Sequence, residues 1–313
     1  MRQTNLRWVA PLPLACALSL GDAGAEGRWV EVKSPHFRVL TDAGEKEGRN
    51  VATGFEQLRK LFEAMGDIGV DPPAPIVIVA TRDEAGLKQL LPSFWEQRGG
   101  ARPVGLFLAG TEKHHIALRL DVDPGARDDI VYHEYLHLIA RLNFTELPVW
   151  LNEGLAEFYA GTTVRDGSVL FGVVNDGWLA VLRESVPLPL TDLFAIDGGS
   201  REYNEESRVS ILYAESALLT HYFMVGDRGA HRKQLTDYMS LLSKGVPEPQ
   251  AQAQAFGDLK ALQKAFFSYV HRYHFSALKA PLDLSGSTAT ARTMSEAEVL
   301  AVRGEFLARY WRA

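Results

Sequence analysis

Cysteine is almost absent from this chain. The one cysteine in 313 residues is Cys16, so no disulfide within the chain can form and the fold must be held by burial, which a chain of this length can supply. Long apolar runs are missing as well. The stretch from Trp8 to Leu20 covers about 13 residues, short of the roughly 20 that a membrane-spanning helix needs. There is no basic excess either: 33 Lys and Arg stand against 39 Asp and Glu, a formal net charge of -6. That balance argues against a nucleic-acid binder, which carries a basic face. No repeat or low-complexity tract stands out, which leaves an ordinary globular chain of one or two domains.

What is present begins at the N-terminus. Arg2 and Arg7 precede the apolar stretch, and Ala23-Gly24-Ala25 offers an A-x-A cleavage site. Residues 1–25 therefore read as a secretory signal peptide cut near Ala25, with the mature chain starting near Glu26. Pro13-Leu14-Ala15-Cys16 is a poorer match to a lipobox and leaves a lipid anchor at Cys16 as the alternative. Cleavage after Ala25 would give a mature chain without cysteine, which suits a periplasmic or secreted bacterial protein.

The remaining pattern predicts an α+β fold. Arg28 to Thr41 reads as strand interrupted by a Ser34-Pro35 turn, and Glu45 to Met65 has helical periodicity stopped by Gly66. Pro75 to Ala80 is a short apolar run that reads as a buried central strand, and Thr81 to Leu91 as a helix halted before Pro92. Val104 to Leu108 and His115 to Leu120 read as a hairpin. Asp128-Asp129 can cap a helix running to about Arg141, and Pro148 opens another that Gly161 ends. Further helices are predicted at Ser207 to Val225, His231 to Ser243, Asp258 to His271 and Ser295 to Trp311, with Ser285 to Thr293 as a linker. The expected organisation is an α/β subdomain over 26–127 with an edge hairpin, a mainly helical subdomain over 128–280, then a linker and closing helix over 281–313.

One string carries more chemistry than the rest. His133-Glu134-Tyr135-Leu136-His137 places two histidines four apart, on one face of a helix, where both imidazoles address the same point. With 9 histidines in the chain, a chance His-Glu-x-x-His is on the order of one per cent. Two core histidines are the plain alternative. The surroundings favour a metal: a second helix begins a short loop later, and pairing it back against the first brings Glu153 opposite the two histidines. A catalytic zinc ion takes three protein ligands, and Glu134 stands beside that point as a base.

These residues, together with Leu147-Pro148-Val149-Trp150-Leu151-Asn152-Glu153-Gly154-Leu155-Ala156-Glu157 and Leu212-Tyr213-Ala214-Glu215-Ser216, resemble the gluzincin zinc metallopeptidases, most of all their bacterial peptidase MA-like members. The resemblance spans roughly 28–275 and implies a zincin-like fold with the active site between the two subdomains. It implies one zinc per chain on His133, His137 and Glu153, with Glu134 as general base. The fifteen residues separating His137 from Glu153 are fewer than in the aminopeptidase and thermolysin branches. Glu157, one turn after Glu153, becomes a candidate acceptor for the far ring nitrogen of His133 or His137; an exposed carboxylate, or itself the ligand, are its other readings.

Tyr213 matches a tyrosine that donates to the developing oxyanion in such enzymes, though its helix also suits a core tyrosine. Tyr203 and His221 are fallback donors. In relatives the edge strand beside the zinc helix receives substrate as an added strand, a role open to Gly105 to Ala109 and His115 to Leu120. Ile116-Ala117-Leu118-Arg119-Leu120 stands where aminopeptidases carry their amine-recognition segment, which favours an endopeptidase or processing enzyme. His114 and His115 read as strand residues, and His271, Tyr273 and His274 as a packing cluster. The expectation is an exported zinc peptidase acting on a peptide or protein, with no nucleic-acid partner. A zinc-binding module without turnover, serving in protein binding, is the alternative.

Overall fold

A computed structural model describes residues 28–310 apart from 67, 97–102, 145, 166, 201–205 and 283–287. The expected signal peptide, Cys16 and Tyr203 lie outside the described residues. The chain opens with β1 (Val30–Lys33), β2 (Arg38–Thr41), α1 (Glu45–Ala64), β3 (Ile76–Thr81), α2 (Glu84–Leu90), α3 (Ser93–Glu96), β4 (Gly105–Leu108) and β5 (His114–Arg119). It continues through α4 (Pro124–Asn143), α5 (Val149–Ala160), β6 (Thr163–Arg165), β7 (Ser168–Phe171), α6 (Asp176–Glu184), α7 (Leu190–Phe194) and α8 (Glu206–Gly229). Then come α9 (Arg232–Ser243), α10 (Glu248–Phe256), α11 (Leu259–Val270), β8 (Leu278–Pro281), β9 (Thr290–Thr293) and α12 (Glu296–Tyr310).

The fold is a mixed sheet with helices, as the α+β reading expects. Six strands lie in the order β4-β5-β3-β2-β1-β9, with β2, β3 and β5 parallel and the other neighbours antiparallel. All six residues of β3 are buried, because alternate side chains of a central strand enter two different cores. Ile78 joins Val39, Ile116, Phe55, Phe62 and Tyr135 beneath α1 and α4. Val77 and Val79 join Leu40, Leu87, Phe306 and Tyr310 beneath α2 and α12. Among the described residues β4 is the edge strand and borders α4, which places a strand edge beside the two histidines.

Several expectations are corrected. The helix carrying the histidines starts at Pro124, so Asp128 and Asp129 fall inside it and not at its N-cap, which is Asp123. Proline is well suited to that first position, where its missing N–H has no intrahelical partner anyway. Thr290–Thr293, expected within a linker, pairs with β1 and extends the main sheet. The helical half also contains a second sheet, β6-β7-β8, which pairs Phe171 with Leu278 across more than 100 residues. Tyr273 is 95% exposed, so the expected packing cluster at the end of α11 does not form. Phe275 is the aromatic of that segment that turns inward, against Tyr269 and His221.

Candidate metal centre

Two helices set up the site from local causes. The chain after α4 is stopped at Pro148, which disfavours helix in the residue before it and opens α5. Trp150, fully buried among Phe194, Phe223, Tyr238 and Phe256, anchors one side of α5. Gly154 lets α5 lie directly on α8: a Cβ there would stand 2.1 Å from Thr220 Oγ1 and 2.4 Å from the Ser216 carbonyl oxygen. With α5 so fixed, Glu153 faces His133 and His137 of α4 at 1% exposure.

The three side chains form a compact triangle. His133 Nε2 lies 3.0 Å from His137 Nε2, and Glu153 Oε2 lies 3.4 Å and 3.6 Å from the two nitrogens. Ligands about 2.0–2.1 Å from one tetrahedral ion stand about 3.4 Å from each other, so the donor set fits a metal ion geometrically as well as chemically. Among the described residues this is the group of three metal-ligating side chains that converges in this way. Burial opposes a proton on His133, but Glu153 and Glu157 outweigh it and hold that imidazole well above its ordinary range. Burial carries His137 the other way. A site that gathers positive charge on one ring is one where a divalent cation can replace the proton.

Glu134 stands beside the triangle and is nearly inaccessible. Burial pushes its carboxyl up to about 7, opposed by His133 and reinforced by Glu153, while the Phe107 backbone N–H favours the ionised form. It owes its place to Gly105 on the edge strand. A Cβ at Gly105 would come within 2.7 Å of both Glu134 Oε1 and Ile130 Cγ2. Together β4, α4 and α5 enclose a cleft of about 360 Å³ with His133, His137, Glu134, Glu153 and Tyr213 on its walls, the low end for small-molecule and peptide sites.

Behind the triangle a chain of contacts orients His133. Glu157 Oε1 lies 3.2 Å from His133 Nδ1, and its Oε2 accepts a 2.6 Å hydrogen bond from Trp178 Nε1. Of the two histidines it is therefore His133 that Glu157 orients, and Glu157 stands behind the triangle rather than in it. The Trp178 ring stacks on Tyr213 at 6.3 Å, and Tyr213 stacks on His133 at 6.0 Å. Trp178 is the residue that sequence reasoning missed. Its only local signal is Asn175, whose side chain accepts the Gly177 and Trp178 N–H groups and so starts α6.

The other candidates lie elsewhere. His221 is buried between the Tyr269 hydroxyl and the carbonyl oxygens of Gly172 and Ser276, away from the cleft. His115 meets Tyr310 and Phe306 beneath α12, and His114 stacks near Phe107, so both are packing residues of β5. Compared with known proteins, the chain matches no protein-family profile and no curated protein, so the reading of this site rests on its own geometry.

Proposed function

We propose that the protein is an exported, zinc-dependent peptidase of zincin-like fold. One observation carries the reading: a His-His-Glu triangle of tetrahedral size, open to a cleft, with a buried carboxylate standing beside it and not in it. Two imidazoles and one carboxylate are a donor set that zinc favours, and three protein ligands leave room for chemistry at the fourth position. The sheet edge alongside the ligand-bearing helix supports the zincin-like assignment, and the signal-peptide pattern of the sequence over residues 1–25 supports export.

His133, His137 and Glu153 would hold the ion, with Glu157 fixing the His133 ring through Nδ1. Zinc, when bound, supplies Lewis acidity toward both the attacking water and the scissile carbonyl. Glu134 takes the proton of the attacking water on its carboxylate and passes it to the departing amine; a group near 7 can hold and release a proton at neutral pH. The Tyr213 hydroxyl donates to the oxygen that gains charge, from the wall of the same cleft. The edge strand β4 offers backbone groups to align an extended peptide.

The test combines metal analysis with peptide-library cleavage on the full chain. Wild type and Glu134→Gln are expected to hold one zinc each, while cleavage falls by about 10²–10⁴-fold in the variant. His133→Ala and His137→Ala should lose the metal. Retained cleavage in Glu134→Gln overturns the role of Glu134, and absence of zinc from wild type overturns the reading altogether. One zinc per chain without turnover would mark a metal-binding module instead.

A further inference from the structure

The cleft has a charged group that the reaction above leaves unused. Arg141 follows His137 by four residues, as His137 follows His133, so the three share one face of α4. It lines the cleft and is exposed at its mouth. Other arginines are held by carboxylates: Arg59 by Asp71, Arg119 by Asp121, Arg272 by Asp227, Arg292 by Glu298 and Arg309 by Glu112. Arg141 makes no ion pair or hydrogen bond among the described residues, not even with Glu146, which lines the same cleft. The negative end of the helix dipole favours a cation in this last turn. That accounts for a basic residue near the end of α4, but not for the side of the helix it occupies.

The rest of the wall sharpens the point. Among the described residues, Glu134, Glu146 and Glu153 are the carboxylates lining the cleft, and Arg141 is the guanidinium, with no lysine beside it. Away from a cation held by the triangle, an acidic group on a bound peptide meets repulsion from Glu146 and attraction at Arg141. Ala140, Phe144 and Leu147 give this corner an apolar lining, which lowers the effective dielectric and strengthens a forked guanidinium–carboxylate pair. Four residues of helix rise about 6 Å, the span of roughly two residues of extended peptide.

Building on the peptidase reading, we propose that Arg141 forms a carboxylate-recognising subsite. The preferred substrate is then a peptide carrying a carboxylate about two residues from the bond that is cut. The carboxylate is the peptide's own C-terminus or an Asp or Glu side chain; the chemistry is shared and the experiment separates them.

The probes are N-acetylated Ala/Phe hexapeptides, bound to zinc-loaded full-length Glu134→Gln protein and followed by calorimetry. One set is amidated and uncharged, one has a free C-terminus, and one is amidated with a single Asp or Glu walked along the chain. One of the two carboxylate sets is expected to bind about tenfold tighter than the uncharged set, and which set does so identifies the source. Adding Arg141→Gln should erase that advantage while binding of the uncharged peptide stays within about twofold; Arg141→Lys should restore part of it. Equal binding of all sets, no binding of any, or an advantage that survives Arg141→Gln overturns the subsite. Cleavage by wild type is scored separately. Turnover without carboxylate preference sinks the subsite and leaves the peptidase standing, whereas preference without any turnover supports the subsite and sinks the peptidase.

Discussion

Glu134 occupies a position where a shift of well under an ångström matters, and Gly105 is what allows it to be there. The Cβ of an alanine at 105 would sit 2.7 Å from Glu134 Oε1, so the carboxylate must move by about 0.7 Å to reach ordinary contact. Misplacement on this scale costs roughly 10²-fold in rate. Gly105→Ala is expected to lower peptide cleavage by about that factor with zinc content unchanged, and loss of zinc alongside activity would show instead that the whole site had collapsed. Trp178 acts one step further back, through Glu157 on His133. Trp178→Phe keeps the ring against Tyr213 but removes the N–H. Zinc affinity, read by chelator competition, should weaken about tenfold; an unchanged affinity would reduce Trp178 to a packing residue.

At the scale of elements, α8 does more than carry Tyr213. Glu215, two residues on, is fully buried, and its Oε2 accepts the Leu188 N–H at 2.8 Å, tying the segment before α7 to this helix. Burial pushes its carboxyl up to about 8, with the Leu188 hydrogen bond opposing. The folded value thus lies above the unfolded one near 4.5, so the folded state binds the extra proton. Its contribution to stability is whole below about pH 4.5 and is lost as pH rises toward 8. Glu215→Gln keeps an acceptor for Leu188 and has no proton to lose. Urea denaturation of the chelator-treated proteins at pH 5 and pH 8 should show wild type losing on the order of 3 kcal/mol more than the variant across that interval. Parallel pH profiles would refute the assignment.

Elements also differ in how far the sequence announces them. The central strand at Ile76–Thr81 and the helices at Glu45–Ala64 and Val149–Ala160 were legible, because an apolar run, a 3.6-residue period and a Pro148/Gly161 bracket are local signals. His133 and His137 were legible for the same reason, since helical spacing dictates which side chains share a face; Glu153, on the next helix, was legible only through the pairing of the two helices and the resemblance of its Asn-Glu-Gly string. The Glu157–Trp178 bond was not, because it joins residues on separate helices with the small sheet between them. The three-residue strand β6 and the pairing of β7 with β8 were equally hidden, being decided by partners distant in sequence. Gly105 read as the margin of a strand, and only its contact with Glu134 gives it meaning.

For the whole molecule, the closing segment matters more than its position suggests. Met294 together with Val299, Phe306 and Tyr310 of α12 is buried against Trp29, Leu40 and Val79, on the sheet face opposite the metal centre. At about 1.5–3 kcal/mol for each large apolar side chain, these four contribute a sum comparable to the whole stability of a domain, about 5–15 kcal/mol. Truncation at residue 288 removes β9 and α12 while leaving His133, His137 and Glu153 in the chain. It is expected to abolish a cooperative thermal transition; a truncated protein that melts like the intact one would contradict this account.

That same strand sets an order of events. Val30 pairs with Thr293, so β1 finds its outer neighbour only after some 260 further residues have been made. Contacts of such separation form late, because the loop between them must close first. Until then β1 presents an unpaired edge, the kind of surface on which chains aggregate. Interrupted synthesis would therefore yield an aggregating or protease-sensitive fragment rather than a partly assembled fold, which makes synthesis through β9 a condition for assembling the cleft.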